Sequence, residues 1–140
     1  MKSGTGRILK LGITGGIGSG KTTVCKVFSV LGAPVFSADE EAKRILDNER
    51  EIRKKISDAV GKDLYMSGSL DRKELARLIF NNRDLLEKVN GIIHPAVFRY
   101  FSDWVQMQDF PYVIMEAAIL FESGAARMMD RIATVVTPVE

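Results

Sequence analysis

Residues 15 to 22 read Gly-Gly-Ile-Gly-Ser-Gly-Lys-Thr and satisfy the pattern G-x-x-x-x-G-K-[ST] in full. Glycines so spaced let successive backbone N–H groups turn inward around an anion. Lys21 is then placed to reach the β and γ oxygens of a nucleoside triphosphate, and the Thr22 hydroxyl to ligate Mg²⁺. The candidate phosphate site is therefore Gly15, Gly16, Ile17, Gly18, Ser19, Gly20, Lys21 and Thr22, with Thr23 following. The dinucleotide pattern G-x-G-x-x-G does not fit, because after Gly16 and Gly18 its third glycine position holds Lys21.

Three further residues could do chemistry. Asp39 and Glu116 each end a short apolar run, Val35-Phe36-Ser37 and Tyr112-Val113-Ile114-Met115 respectively. Open α/β sheets place their ligand crevice at such carboxyl ends. Asp39 thus either faces a substrate or caps the helix that follows, and the residues leave both readings open. Glu116 suits a Walker-B role, holding Mg²⁺ through water, or is structural. His94, before Pro95, reads from the residues alone as a helix cap or packing group. Cys25 reads as helix packing, with no chemistry assigned.

These side chains need a frame. The run Ile8-Leu9-Lys10-Leu11-Gly12-Ile13 predicts a buried parallel strand before the loop. Val24, Val27, Phe28 and Leu31 predict one face of a helix after it, stopped by Gly32 and Pro34. A helix beginning at Ala38-Asp39 carries Ala42, Ile45 and Leu46 inward. From Asn48 to Gln108 the pattern is helical. Asp71 and Glu74 form a capping box between the staple residues Leu70 and Leu75, ahead of a face containing Leu78 and Ile79. A helix from Asp84 to about Ile93 buries Leu85, Leu86 and Val89, and His94-Pro95 opens another with Val97, Phe98, Phe101, Trp104 and Val105 on one side. Strands return at 112–115 and 132–136. The expected fold is α/β: a P-loop NTPase-type three-layer α/β/α parallel sheet with a helical substrate-binding insert. Residues 1–47 would form the phosphate-binding half, 48–110 the insert and 111–140 the returning core strands. Met1 to Arg7 reads as a loose leader. Thr137-Pro138-Val139-Glu140 reads as the cap and first turn of a helix, so the domain is expected to be incomplete at residue 140.

A chain of 140 residues with 46% apolar content is sized for one globular domain. A net charge of +2, spread along the chain, does not indicate a nucleic-acid-binding stripe. The single cysteine forms no internal disulfide, and no apolar stretch reaches membrane length, so the default location is cytoplasmic. Oligomeric state is not set by any of these features.

Taken together, five blocks resemble the dephospho-CoA kinase family: Ile13 to Thr23, Val35-Phe36-Ser37-Ala38-Asp39, Leu70-Asp71-Arg72-Lys73 with Leu75 and Ile79-Phe80, Ile93-His94-Pro95, and Met115 to Glu122. The resemblance runs essentially end to end. It implies ATP-dependent phosphorylation of the ribose 3′-hydroxyl of dephospho-CoA, with ATP and Mg²⁺ as cofactors and the helical middle as the CoA-binding part. It also implies that Asp39 is the general base, that Lys21 and the loop amides stabilise the γ-phosphoryl group, and that His94 lies near the acceptor. Ser37 departs from the family's usual Asp, and Ala118 from its usual Pro. A kinase of another small metabolite or nucleoside monophosphate would share the loop. A GTP-dependent switch would need N-K-x-D after a strand, whereas Asn81-Asn82-Arg83-Asp84 lacks the lysine and lies between predicted helices.

Overall fold

Among the described residues four short runs become strands: β1 (Leu9–Thr14), β2 (Val35–Ser37), β3 (Tyr112–Glu116) and the fully exposed β4 (Arg131–Thr134), in place of the expected 132–136. In the computed structural model, which describes residues 6–138, they pair in parallel in the order β2-β3-β1-β4. The first five residues of the expected leader lie outside the described residues. So do Val139 and Glu140 of the expected helix start.

A parallel sheet must be covered on both faces, and side-chain alternation shows how this one is. Leu11 and Ile13 of β1, Val35 of β2 and Ile114 of β3 point toward helix α1 (Lys21–Val30), packing with Val24, Cys25 and Phe28. The alternate residue Phe36 points the other way, onto Phe101 and Trp104 of helix α5 (Arg83–Gln106), with ring centroids 5.2 and 5.3 Å apart. Such tilted aromatic contacts add about 0.5–1.5 kcal/mol each beyond area burial. Helix, sheet and helix therefore make the expected three layers. On that second face Gly12 is a close-packing point, since a Cβ there would stand 2.8 Å from Leu120 Cδ2 and 2.9 Å from Met129 Cγ. At the amino ends of the strands Asp130 ties β1 to β4. Its carboxylate accepts from Lys10 N at 2.8 Å and pairs with the Arg7 guanidinium, while its own N–H donates to Lys10 O.

The chain divides into two compact units, one built from residues up to Asp39 and from Tyr100 onward, the other from Glu40–Arg99. The second contains α3 (Arg50–Val60), α4 (Arg72–Ile79), most of α2 (Ala38–Asn48) and the first part of α5. Its interior holds Ile45, Leu46, Ile52, Ile56, Leu75 and Val89. The turn between α3 and α4 is fixed by Tyr65, buried beneath the Arg53 guanidinium at 4.4 Å from the ring centre.

Several local expectations change. Of the expected face of α1, Val24 and Phe28 pack beside the buried Cys25, but Val27 is 56% exposed, and Leu31, past the helix end, 66%. Asp71 does cap α4, accepting from Glu74 N at 3.1 Å, but the box does not close. Asp71 N–H is taken by Leu64 O, and the Glu74 carboxylate is drawn instead to Lys62 and Arg77. Leu78 and Ile79 are only partly buried, and Leu86 is exposed. Pro95 does not open a helix but sits inside α5. Its missing N–H forgoes one bond toward residue 91, a cost of about 3 kcal/mol. Burial of Val89, Ala96, Val97, Phe101 and Val105 along that helix offsets the loss.

Candidate active site

β1 ends at Thr14, buried, whose hydroxyl donates to Ala118 O at 3.3 Å. The loop then turns through Gly15 to Gly20, with Ser19 N donating to Gly16 O at 3.1 Å. Gly20 is the residue before α1 and adopts φ 91°, a left-handed conformation that residues with a Cβ rarely accept. No side chain caps α1, and no acidic residue occupies its first turn. Its free N–H groups and the positive end of its dipole are thereby left for an anion. Ser19 Oγ is buried and has no partner among the described residues.

Lys21, Thr22 and Thr23 form the first turn of α1, and the structure brings Thr22 directly to β3. Thr22 Oγ1 donates to Glu116 Oε1 at 3.1 Å. The sheet register explains why. Glu116 lies opposite Ile13 on one side and Ser37 on the other, so the ends of β1, β2 and β3 are level beneath the loop. A hydroxyl beside a carboxylate suits a hard, oxygen-preferring divalent cation. Among the described residues no group of three or more His, Cys, Asp or Glu could hold a metal. An ion here would therefore share its coordination with phosphate oxygens and water. Cys25, one turn further along α1, has its thiol pKa pushed up to about 11, chiefly by burial and then by the Glu116 charge, with Lys21 opposing. It stays a protonated packing group.

Asp39 is the second residue of α2, inside its first turn and exposed. It follows β2 by two residues, at the same end of the sheet as Glu116. Among the described residues no hydrogen bond or ion pair engages its carboxylate. His94 belongs to the other unit. It lies within α5, half-buried, with its ring stacked on Phe98 at 6.2 Å, and burial lowers its pKa. It is therefore a neutral imidazole at physiological pH rather than a cation.

Sequence reasoning missed the segment after β4. Val135 N donates to Thr14 O at 2.8 Å, and Thr137 Oγ1 donates to Gly18 O at 3.2 Å. Only the pairing of β4 with β1 carries this stretch to the loop, and no local pattern announces it.

A family model described as dephospho-CoA kinase matches residues 9–140. The chain belongs to the dephospho-CoA kinase family. Among its relatives, the dephospho-CoA kinase of Bacteroides fragilis is 43% identical over 133 residues, and that of Porphyromonas gingivalis 42% over 131. Each alignment covers 94% of this chain but 65% of the relative, so the chain spans just under two thirds of their length. Among solved structures, a Thermus thermophilus protein matches with a TM-score of 0.81 at 32% identity. The dephospho-CoA kinase of Campylobacter jejuni matches with 0.71 at 28%. Each of these covers 94% of this chain and 67% of the other. The parallel α/β fold with a P-loop is thus that of the dephospho-CoA kinase family.

Proposed function

We propose that this chain carries the catalytic core for ATP-dependent phosphorylation of the ribose 3′-hydroxyl of dephospho-CoA, giving coenzyme A and ADP. The observation that carries the reading is the Thr22–Glu116 contact beneath a complete phosphate loop, in a chain whose relatives are named for this reaction. The loop amides, the α1 N-terminus and Lys21 hold the triphosphate and stabilise charge on the γ-phosphoryl group as it transfers. Mg²⁺, held by Thr22 and by Glu116 directly or through water, would neutralise phosphate charge there. Asp39 accepts the proton of the 3′-hydroxyl as its oxygen bonds to the γ-phosphorus and the bond to the β–γ bridging oxygen breaks. The exposed, unpaired carboxylate of Asp39 suits that role. Neutral His94 would hydrogen-bond or stack against the acceptor, with Glu40–Arg99, which overlaps the expected insert of residues 48–110, contributing to acceptor binding. An enzyme of this kind would work in the cytoplasm; among the described residues no helix is long and apolar enough to cross a membrane.

ADP release tests the proposal. This chain, and the same chain extended to the length of its relatives, would be given MgATP with dephospho-CoA, adenosine, AMP or shikimate. Turnover selective for dephospho-CoA, lost in Lys21→Ala, is expected. Turnover selective for another acceptor would reassign the substrate, and none in either chain would leave a nucleotide-binding module.

A further inference from the structure

We infer that Thr137 is a positioning residue for the phosphate loop, the outer end of a strap, Val135 to Thr137, that holds the loop in its anion-binding shape. The inference deepens the phosphate-transfer reading above and rests on it.

The strap touches the loop at both ends. At the inner end Val135 N–H donates to Thr14 O at 2.8 Å, extending the β1–β4 ladder past the last strand residue. Its carbonyl oxygen stands 2.6 Å from where a Cβ on Gly15 would be. That oxygen is backbone and cannot swing aside, so the strap makes glycine obligatory at position 15. At the outer end the Thr137 hydroxyl donates to Gly18 O at 3.2 Å. Gly18 has φ +75° and no atom within 4 Å of its Cβ position, so no packing holds the peptide that follows; hydrogen bonds do, from Ser19 N–H to Gly16 O at 3.1 Å and from Thr137 to its carbonyl oxygen.

That freedom matters chemically. An anion nest works only while backbone N–H groups face inward and carbonyl oxygens face out. If the Gly18–Ser19 peptide flips, its carbonyl oxygen turns toward the phosphates and the Ser19 N–H loses Gly16 O. The Thr137 hydroxyl opposes that flip by giving the outward carbonyl a partner. Thr137 is exposed, so removing its hydroxyl empties no core volume.

Thr137→Val keeps the shape and removes the donor, while Thr137→Ser keeps the donor. Two readouts would be taken on the whole chain: the Ser19 amide resonance without nucleotide, and the Kd for MgATP. The Val variant is expected to move the Ser19 amide and to bind ATP about threefold to tenfold more weakly, the range of one neutral hydrogen bond. The Ser variant should stay within about twofold of wild type, and the thermal midpoint of the nucleotide-free chain should not change. Equal ATP affinity in the Val variant overturns the inference and leaves the functional reading standing. A wild-type chain that binds no ATP overturns the functional reading instead. The Ser19 amide then decides alone: a shift in the Val variant supports the strap, and an unmoved resonance overturns it.

Discussion

The Thr22 hydroxyl donates to Glu116 Oε1 at 3.1 Å, joining the first turn of α1 to the last residue of β3 across 94 positions of sequence. Two oxygen-bearing side chains of different chemistry are thereby held together. Glu116→Gln keeps the size and the hydrogen bond but loses the charge. The Mg²⁺ concentration needed for half-maximal turnover should rise about 10- to 100-fold, the usual consequence of losing a metal-orienting carboxylate. Titrating Mg²⁺ at fixed ATP reads this, and an unchanged requirement would reduce Glu116 to a helix-to-strand tether.

Asp39→Asn removes basicity and little else, because the side chain is exposed. Turnover should fall about 10²- to 10⁴-fold with the KM for ATP nearly constant. Steady-state kinetics separate the two parameters. Parallel losses in both would place Asp39 in metal or phosphate binding instead.

Hydrogen bonds from Arg77 and then Lys62 hold the Glu74 carboxyl down from 4.5 to about 2. A depressed acid stabilises the fold where it is ionised in both states. The contribution is complete above about pH 4.5 and is lost as pH falls toward 2. Glu74→Gln should therefore be less stable than wild type near neutrality, and the difference should vanish at the acid end of the range. Added salt should shrink it at every pH, because these groups meet solvent. Thermal melts across pH 2 to 7 would check both trends.

Asp130 accepts the partly buried N–H of Lys10 at 2.8 Å and pairs with Arg7 at the start of β1. Asp130→Ala leaves that N–H without its acceptor and should cost about 1–3 kcal/mol by urea unfolding. Asp130→Asn retains an oxygen at the same place and should recover most of the loss. Equal destabilisation in the two variants would make the Arg7 ion pair the larger contribution.

Much of the frame was legible because parallel strands are apolar throughout and glycine-lysine-threonine spacing is rigidly tied to phosphate chemistry. Val35-Phe36-Ser37 and Tyr112 to Met115 announced their strands, and Asp71 its cap. What failed to show was whatever depended on competition between distant groups. Arg77, three residues on, competes for the Glu74 carboxylate from nearby, but nothing in the sequence brings Lys62 beside it as well. Proline at 95 is a local stop signal, but the helix is sustained by buried side chains on either side of it. Within α1, periodicity found Val24 and Phe28, which pack against the sheet, but also counted Val27, which is exposed. The Thr137 contact with the loop depends on β4 lying beside β1, a topological fact that residue types do not encode locally.

The order β2-β3-β1-β4 also dictates a timetable for synthesis. Among the described strands β1 is made first, yet its neighbours begin at Tyr112 and Arg131. Closing its ladder thus waits on the order of a hundred residues, which at about 5–20 residues per second is several seconds or more. During that interval the apolar β1 and the nascent loop emerge without the partners that later flank them. Glu40–Arg99, contiguous and helical, can meanwhile gather its own core. The phosphate loop thus takes its working shape only well after its own residues have been made.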